Sequence, residues 1–174
     1  MILYSWTPLR CHAAGRVKPI SVVGIKNFDL VDQVYYPIAE VDRRSKLDPK
    51  YTIGHLIYLN NILNRCKNIG LKIAFICITR KGYHFYFANK CKSPHKCIYL
   101  LRKARVFDKG HLNLAKTRND KTLVLRVSRK YPEPDIFPIY INQDALTEWH
   151  LEVLDLIKMF HGERYDQKEE GEKR

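Results

Sequence analysis

Two carboxylates stand one residue apart where an apolar run gives way to a basic cluster: Glu40 and Asp42 in "IAEVDRRSK", residues 38–46. On a strand, residues two apart point to the same side, so this spacing aims both carboxylates at one place. Hard divalent ions such as Mg²⁺ and Mn²⁺ take carboxylate oxygens and use them to hold nucleotide phosphates. A plainer use is also open to the pair: a solvated strand end whose charges meet Arg43, Arg44 and Lys46. The pair alone does not decide between the two.

One helix downstream lies "CITRKGYHFYF", residues 77–87. Gly82 in a tight turn exposes backbone amides, and Arg80 and Lys81 supply cations there. His84 opens the returning strand, with Tyr86 two residues on and on the same face. Together these groups make a place for a triphosphate. Taken singly, His84 reads as a structural histidine and Arg-Lys-Gly as an ordinary hairpin turn.

The order of these features resembles the catalytic core of the archaeo-eukaryotic primase superfamily. Its first motif is a strand bearing two acids one residue apart, matched by Glu40 and Asp42. Its second is a Ser or Thr before a short basic Gly turn and a His, matched by Thr79, Lys81, Gly82 and His84. Its third is a further acid ahead of a strand carrying Arg, matched by Arg126 in "LVLRVSRKY". Asp108 is taken as that acid, with Asp120 as the alternative. The first acid is Glu where the family mostly has Asp, and the chain lacks the helical and zinc modules of many full primases, as a small viral or plasmid enzyme would.

The resemblance covers roughly residues 34–131. It implies an RRM-like primase-polymerase core in which Glu40, Asp42 and Asp108 hold two Mg²⁺ or Mn²⁺ ions for nucleotidyl transfer. Thr79, Lys81, Gly82, His84 and Arg126 would then hold the nucleoside triphosphate. Arg43, Arg44, Arg80, Tyr86 and Lys130 are the candidates for contact with the template, a single strand of DNA or RNA, and a replication protein is a further possible partner. The rival reading is a binding module without catalysis, in which Tyr35, Tyr36, Tyr83, Phe85, Tyr86, Phe87 and Tyr131 form stacking platforms in a cationic groove. A replication-initiator nuclease would need a His-x-His pair, and His84 is followed by Phe85 and Tyr86.

Composition supports a polyanionic partner. The chain of 174 residues has 31 Lys and Arg against 18 Asp and Glu, a net charge of +13, the footprint of a protein that meets nucleic acid. The last twelve residues hold five acids against four bases, so all of the excess lies in residues 1–162. That segment is expected to be one α+β domain, a mixed or antiparallel sheet flanked by helices, and residues 163–174 a charged, disordered tail. No run approaches the ~20 apolar residues of a spanning helix, and the start "MILYSWTPLR" has no basic lead, so a soluble, cytoplasmic protein without membrane contact is expected. Five scattered cysteines do not form a secreted disulfide framework. Cys91, His95 and Cys97, with Cys11 and His12, match no standard zinc spacing, so zinc is not expected.

The elements that position the motifs read as follows. "KPISVVGI" and Ile38 to Asp42 are strands, and Pro37 limits the second one backward. Asp48 and Pro49 start a helix with a stripe of Leu56, Leu59, Leu63 and Cys66, and Gly70 ends it. Residues 73–78 are a buried strand, paired by a hairpin to "HFYFA". Ser93 and Pro94 start a basic helix with Cys97, Leu101 and Ala104 inward. "HLNLAK" and "TLVLRVS" read as alternating strands, and "KYPEPDIFPIY" as extended or loop. The last helix runs from about Asp144 with Leu146, Trp149, Val153, Leu154, Ile157 and Phe160 on one face.

Overall fold

Among the described residues, apolar β-branched and aromatic runs build two larger antiparallel sheets and a two-stranded one, with helices packed against them. The computed structural model describes residues 3–6, 22–42, 52–79, 82–127 and 136–162. The strands are β1 (Leu3–Trp6), β2 (Val22–Lys26), β3 (Phe28–Asp29), β4 (Val34–Tyr35), β5 (Ile38–Asp42), β6 (Ile73–Thr79), β7 (Gly82–Phe87), β8 (Val124–Arg126) and β9 (Ile136–Ile141). The helices are α1 (Thr52–Asn68), α2 (Pro94–Ala104), α3 (Lys109–Thr117) and α4 (Glu148–His161), with a 3₁₀ turn at Gln143–Ala145. One sheet has the order β1-β2-β8 and the other β5-β7-β6-β9, and β3 pairs with β4. The whole is an α+β unit.

Both β5 and β6 are antiparallel to β7, so they run parallel to each other with β7 between them and α1 as the crossover. β6 and β7 are buried along almost their whole length, as a central pair covered on both faces must be. One face carries Phe85 and Phe87, whose rings meet Phe107 at 5.6 Å. The other carries Phe75 stacked on Tyr86 at 4.1 Å, with His150 of α4 edge-on to Phe75. Trp149, 2 % exposed, stacks on Tyr36 beside them.

The helix ends follow their local chemistry. α1 stops at Gly70 (φ 74°), where the Leu71 amide donates to the Cys66 carbonyl and the Gly70 amide to Lys67, the double bond that a left-handed residue permits after a helix. Asp48 and Pro49 lie outside the described residues. The buried stripe of α1 is Ile62 and Cys66, flanked by Leu59 and Leu63, while Leu56 is exposed; the apolar face is displaced from the expected one. Ser93 caps α2 by accepting from the Lys96 amide. His150 ties α4 down at both ring nitrogens: Nδ1 meets Thr147 and Nε2 bonds the Phe87 carbonyl.

One expectation about an element is corrected and another is sharpened. "HLNLAK" is not a strand but α3, because the Asp108 carboxylate accepts the His111 amide at 2.8 Å and starts a helix. Its inward residues are then His111, Leu112 and Ala115, at helical spacing, and Leu114 is 58 % exposed. Within the segment expected to be extended or loop, Ile136–Ile141 is extended and forms β9, an edge strand, where Pro138 is tolerated beside a register shift.

Candidate functional site

The expected strand Ile38–Asp42 forms with those bounds and fixes what faces what. On β7, His84 is the direct cross-strand partner of Glu40, and Gly82 is that of Asp42. On β6, Cys77 pairs with His84, and Thr79 closes the hairpin by accepting the Gly82 amide on its hydroxyl at 3.0 Å. Thr79 therefore shapes the turn. The side chain of Asp42 lies outside the described residues, as do Arg43, Arg44, Lys46, Arg80, Lys81, Lys130, Tyr131, Cys11, His12 and residues 163–174.

Asp108 comes to the same strand from the far side. Its amide donates to the Glu40 carbonyl at 2.9 Å, so the start of α3 abuts the edge of β5 at the first acid. Asp108 and Glu40 are thus brought together. Asp120 is not part of the site: Lys26 bonds one of its carboxylate oxygens and Thr122 bonds the other with both amide and hydroxyl. Burial would raise its pKa, but these bonds outweigh that and hold it at about 2. It anchors the turn into β8.

His84 is 5 % exposed. Burial, and after it the charges of Arg126, His111 and His161, push its pKa down to about 3, so the imidazole is neutral at neutral pH. Its Nε2 lies 4.0 Å from Glu40 Oε2, beyond hydrogen-bonding distance, and a neutral ring makes no ion pair there. Its Nδ1 is buried without a hydrogen-bond partner, a costly state for a polar atom. At neutral pH His84 is therefore a neutral hydrogen-bonding group and not a cation. The cation beside it is Arg126 on β8, a half-buried residue between the buried Leu125 and Val127.

Two further imidazoles close around His84, and the residue pattern did not single them out. His111, on α3, is pushed down to about 4 by burial, against a bond to the Ile38 backbone, and its Nε2 is unpartnered. His161, the last residue of α4, bonds the Val127 carbonyl through Nε2 at 2.8 Å. Reading "HLNLAK" as a helix places His111 with Leu112 and Ala115 on the inward face, which is the signal that locates it.

Most of the aromatic platform is overturned, although Tyr35 is half-buried and Tyr131 lies outside the described residues. Tyr86 is fully buried and stacked on Phe75, so it cannot touch nucleic acid, and Tyr36, Tyr83, Phe85 and Phe87 are likewise buried. The period-2 pattern that suggested an open sheet face belongs to strands covered on both sides. Cys91 and Cys97 are buried and hydrogen-bond each other, while His95 is exposed. Among the described residues no three His, Cys, Asp or Glu side chains gather as a metal set, and no helix is long and apolar enough to cross a membrane.

No protein-family model matches this chain, and neither does any curated protein or solved structure.

Proposed function

We propose that the chain is a primase-polymerase-type nucleotidyltransferase that joins nucleoside triphosphates on a single-stranded template. The observation that carries this reading is the direct pairing of Glu40 with His84 across β5 and β7, with the Asp108 amide on the Glu40 carbonyl. The order of elements supports it too: an acidic strand, a crossover helix, and a parallel strand that returns through a hairpin bearing His84. We read this order as the split β-α-β half of the expected RRM-like core, although β9 joins the sheet beside β6 and not beside β5.

Glu40, Asp42 and Asp108 supply oxygen donors suited to Mg²⁺ or Mn²⁺, and would hold the ions that activate a 3′-hydroxyl and stabilise pyrophosphate leaving. The chain's own groups orient the nucleotide. Arg126 offers charge to the phosphates, and neutral His84 donates one hydrogen bond without repelling Arg126. Thr79 accepts the Gly82 amide and so closes the hairpin between β6 and β7.

The test is strand extension by the full chain with Mn²⁺ or Mg²⁺, labelled ribo- or deoxynucleoside triphosphates and a single-stranded template. Product is expected, and Glu40→Ala or Asp42→Ala should abolish it. If wild type makes no product under any of these conditions, the enzymatic reading is withdrawn.

A further inference from the structure

The cations expected to meet nucleic acid lie mostly outside the described residues, yet a different basic surface is built beside the candidate site. α2 and α3 enclose a groove of ≈ 430 Å³. Its floor is Leu101, Phe107 and Leu112, each at most 6 % exposed, and its rim carries Arg102, Arg105 and Lys109. The lining contains no carboxylate. Arg102 is held in place by a bond from its guanidinium to Asn113 Oδ1 at 2.8 Å, so part of the ordering cost is met before any ligand arrives. Arg105 sits in the left-handed conformation (φ 58°) that ends α2.

We propose that this groove binds the phosphate backbone of the single strand on which the candidate site acts, an inference that rests on the nucleotidyl-transfer reading for the identity of that strand. Position is the first argument. Phe107 and Lys109 are the chain neighbours of Asp108, whose amide bonds Glu40, so a strand lying in the groove runs up to the acids. Chemistry is the second. Three cations without a compensating acid suit a polyanion, and a floor this deeply buried offers a protein partner almost no apolar area. The third argument selects a single strand over a duplex. Tyr99, one turn before Arg102 on α2, is 58 % exposed, with Lys96 Nζ 5.3 Å from its ring, and an exposed ring among cations is a stacking surface for unpaired bases. Recognition of this kind reads charge and is tolerant of base sequence.

The experiment is fluorescence anisotropy of the full chain on a labelled single strand across a salt series, without metal or nucleoside triphosphate. Each phosphate neutralised on a single strand contributes about −0.7 to the slope of log affinity against log salt. The triple variant Arg102→Gln, Arg105→Asn, Lys109→Gln should therefore flatten the slope by about 2, a loss of about 100-fold in affinity at 0.1 M salt. Arg105→Asn alone, which suits a left-handed residue, should flatten it by about 0.7 and guards against misfolding of the triple variant. The control Arg65→Gln, Lys67→Gln, Lys72→Gln removes equal charge from the end of α1 and the segment after it, and should leave the slope nearly unchanged. An unchanged slope in the groove variants, an equal loss in the control, or equal binding of a blunt duplex overturns the proposal. A chain that binds through the groove but never extends a strand retires the enzymatic reading and leaves the groove standing.

Discussion

Acidification from pH 7.5 to 5 should remove much of this protein's stability, and the amount follows from three buried imidazoles. Burial is the leading cause that lowers each: His84 to about 3, His111 to about 4 and His150 to about 4. In the unfolded chain each returns to about 6.5. Between those values the unfolded state binds more protons, so stability rises with pH across the window from about 4 to 6.5 and is lost as pH falls through it. At pH 5 each histidine contributes a loss of about 2 kcal/mol, about 6 kcal/mol for the three. That is comparable with the whole stability of an ordinary domain, about 5–15 kcal/mol. Asp120 does not offset it: held at about 2, it gives up its contribution only as pH falls below the ordinary carboxylate value. Urea titrations followed by circular dichroism and Trp149 fluorescence at several pH values between 7.5 and 5 measure the change. Gln at position 150 can still reach the Phe87 carbonyl, so His150→Gln should remove about 2 kcal/mol of the pH dependence. A midpoint that stays flat over the range, or imidazole resonances of His84, His111 and His150 that titrate near 6.5, would refute the reasoning.

Asp108→Asn keeps a capping side chain on α3 and should leave stability within about 0.5 kcal/mol of wild type, whereas Asp108→Ala should cost about 1 kcal/mol. Both should abolish strand extension, while Asp120→Ala costs about 1 kcal/mol through lost bonds to Thr122 and Lys26 and leaves extension unaffected. Burial raises the thiol of Cys66 to about 12 and that of Cys77 further, so iodoacetamide at pH 8 should label both only after unfolding in urea. Rapid labelling of either in the native protein, mapped by mass spectrometry, would contradict their placement in the core.

Part of the candidate site's arrangement is legible in the sequence, and the reason is geometric. Ile38–Asp42 formed as expected because Pro37 bounds it and its apolar run pairs with β7, after which the hairpin left His84 no register but the one opposite Glu40. Asp108 was chosen for chemistry, yet its place was hidden. "HLNLAK" alternates as a strand does, and only the cap that Asp108 makes with His111 turns it into a helix. Tyr86 was misjudged for a related reason. Alternation says which residues share a face and nothing about whether a helix covers that face, and α4 covers this one with Trp149 and His150. The segment at 136–141 is legible only as extended or loop, because Pro138 argues against a central strand and says nothing against an edge.

The bond between Asp108 and Glu40 has a consequence for self-association as well. The outer rims of the four-stranded sheet are β5 and β9, and exposed rims invite a foreign strand to dock. On β5 the Glu40 carbonyl is already taken by Asp108; on β9 the proline at 138 has no hydrogen to offer a newcomer. One acceptor of β5 and one donor position of β9 are thus closed to an incoming strand, which weakens the template that each border would otherwise offer.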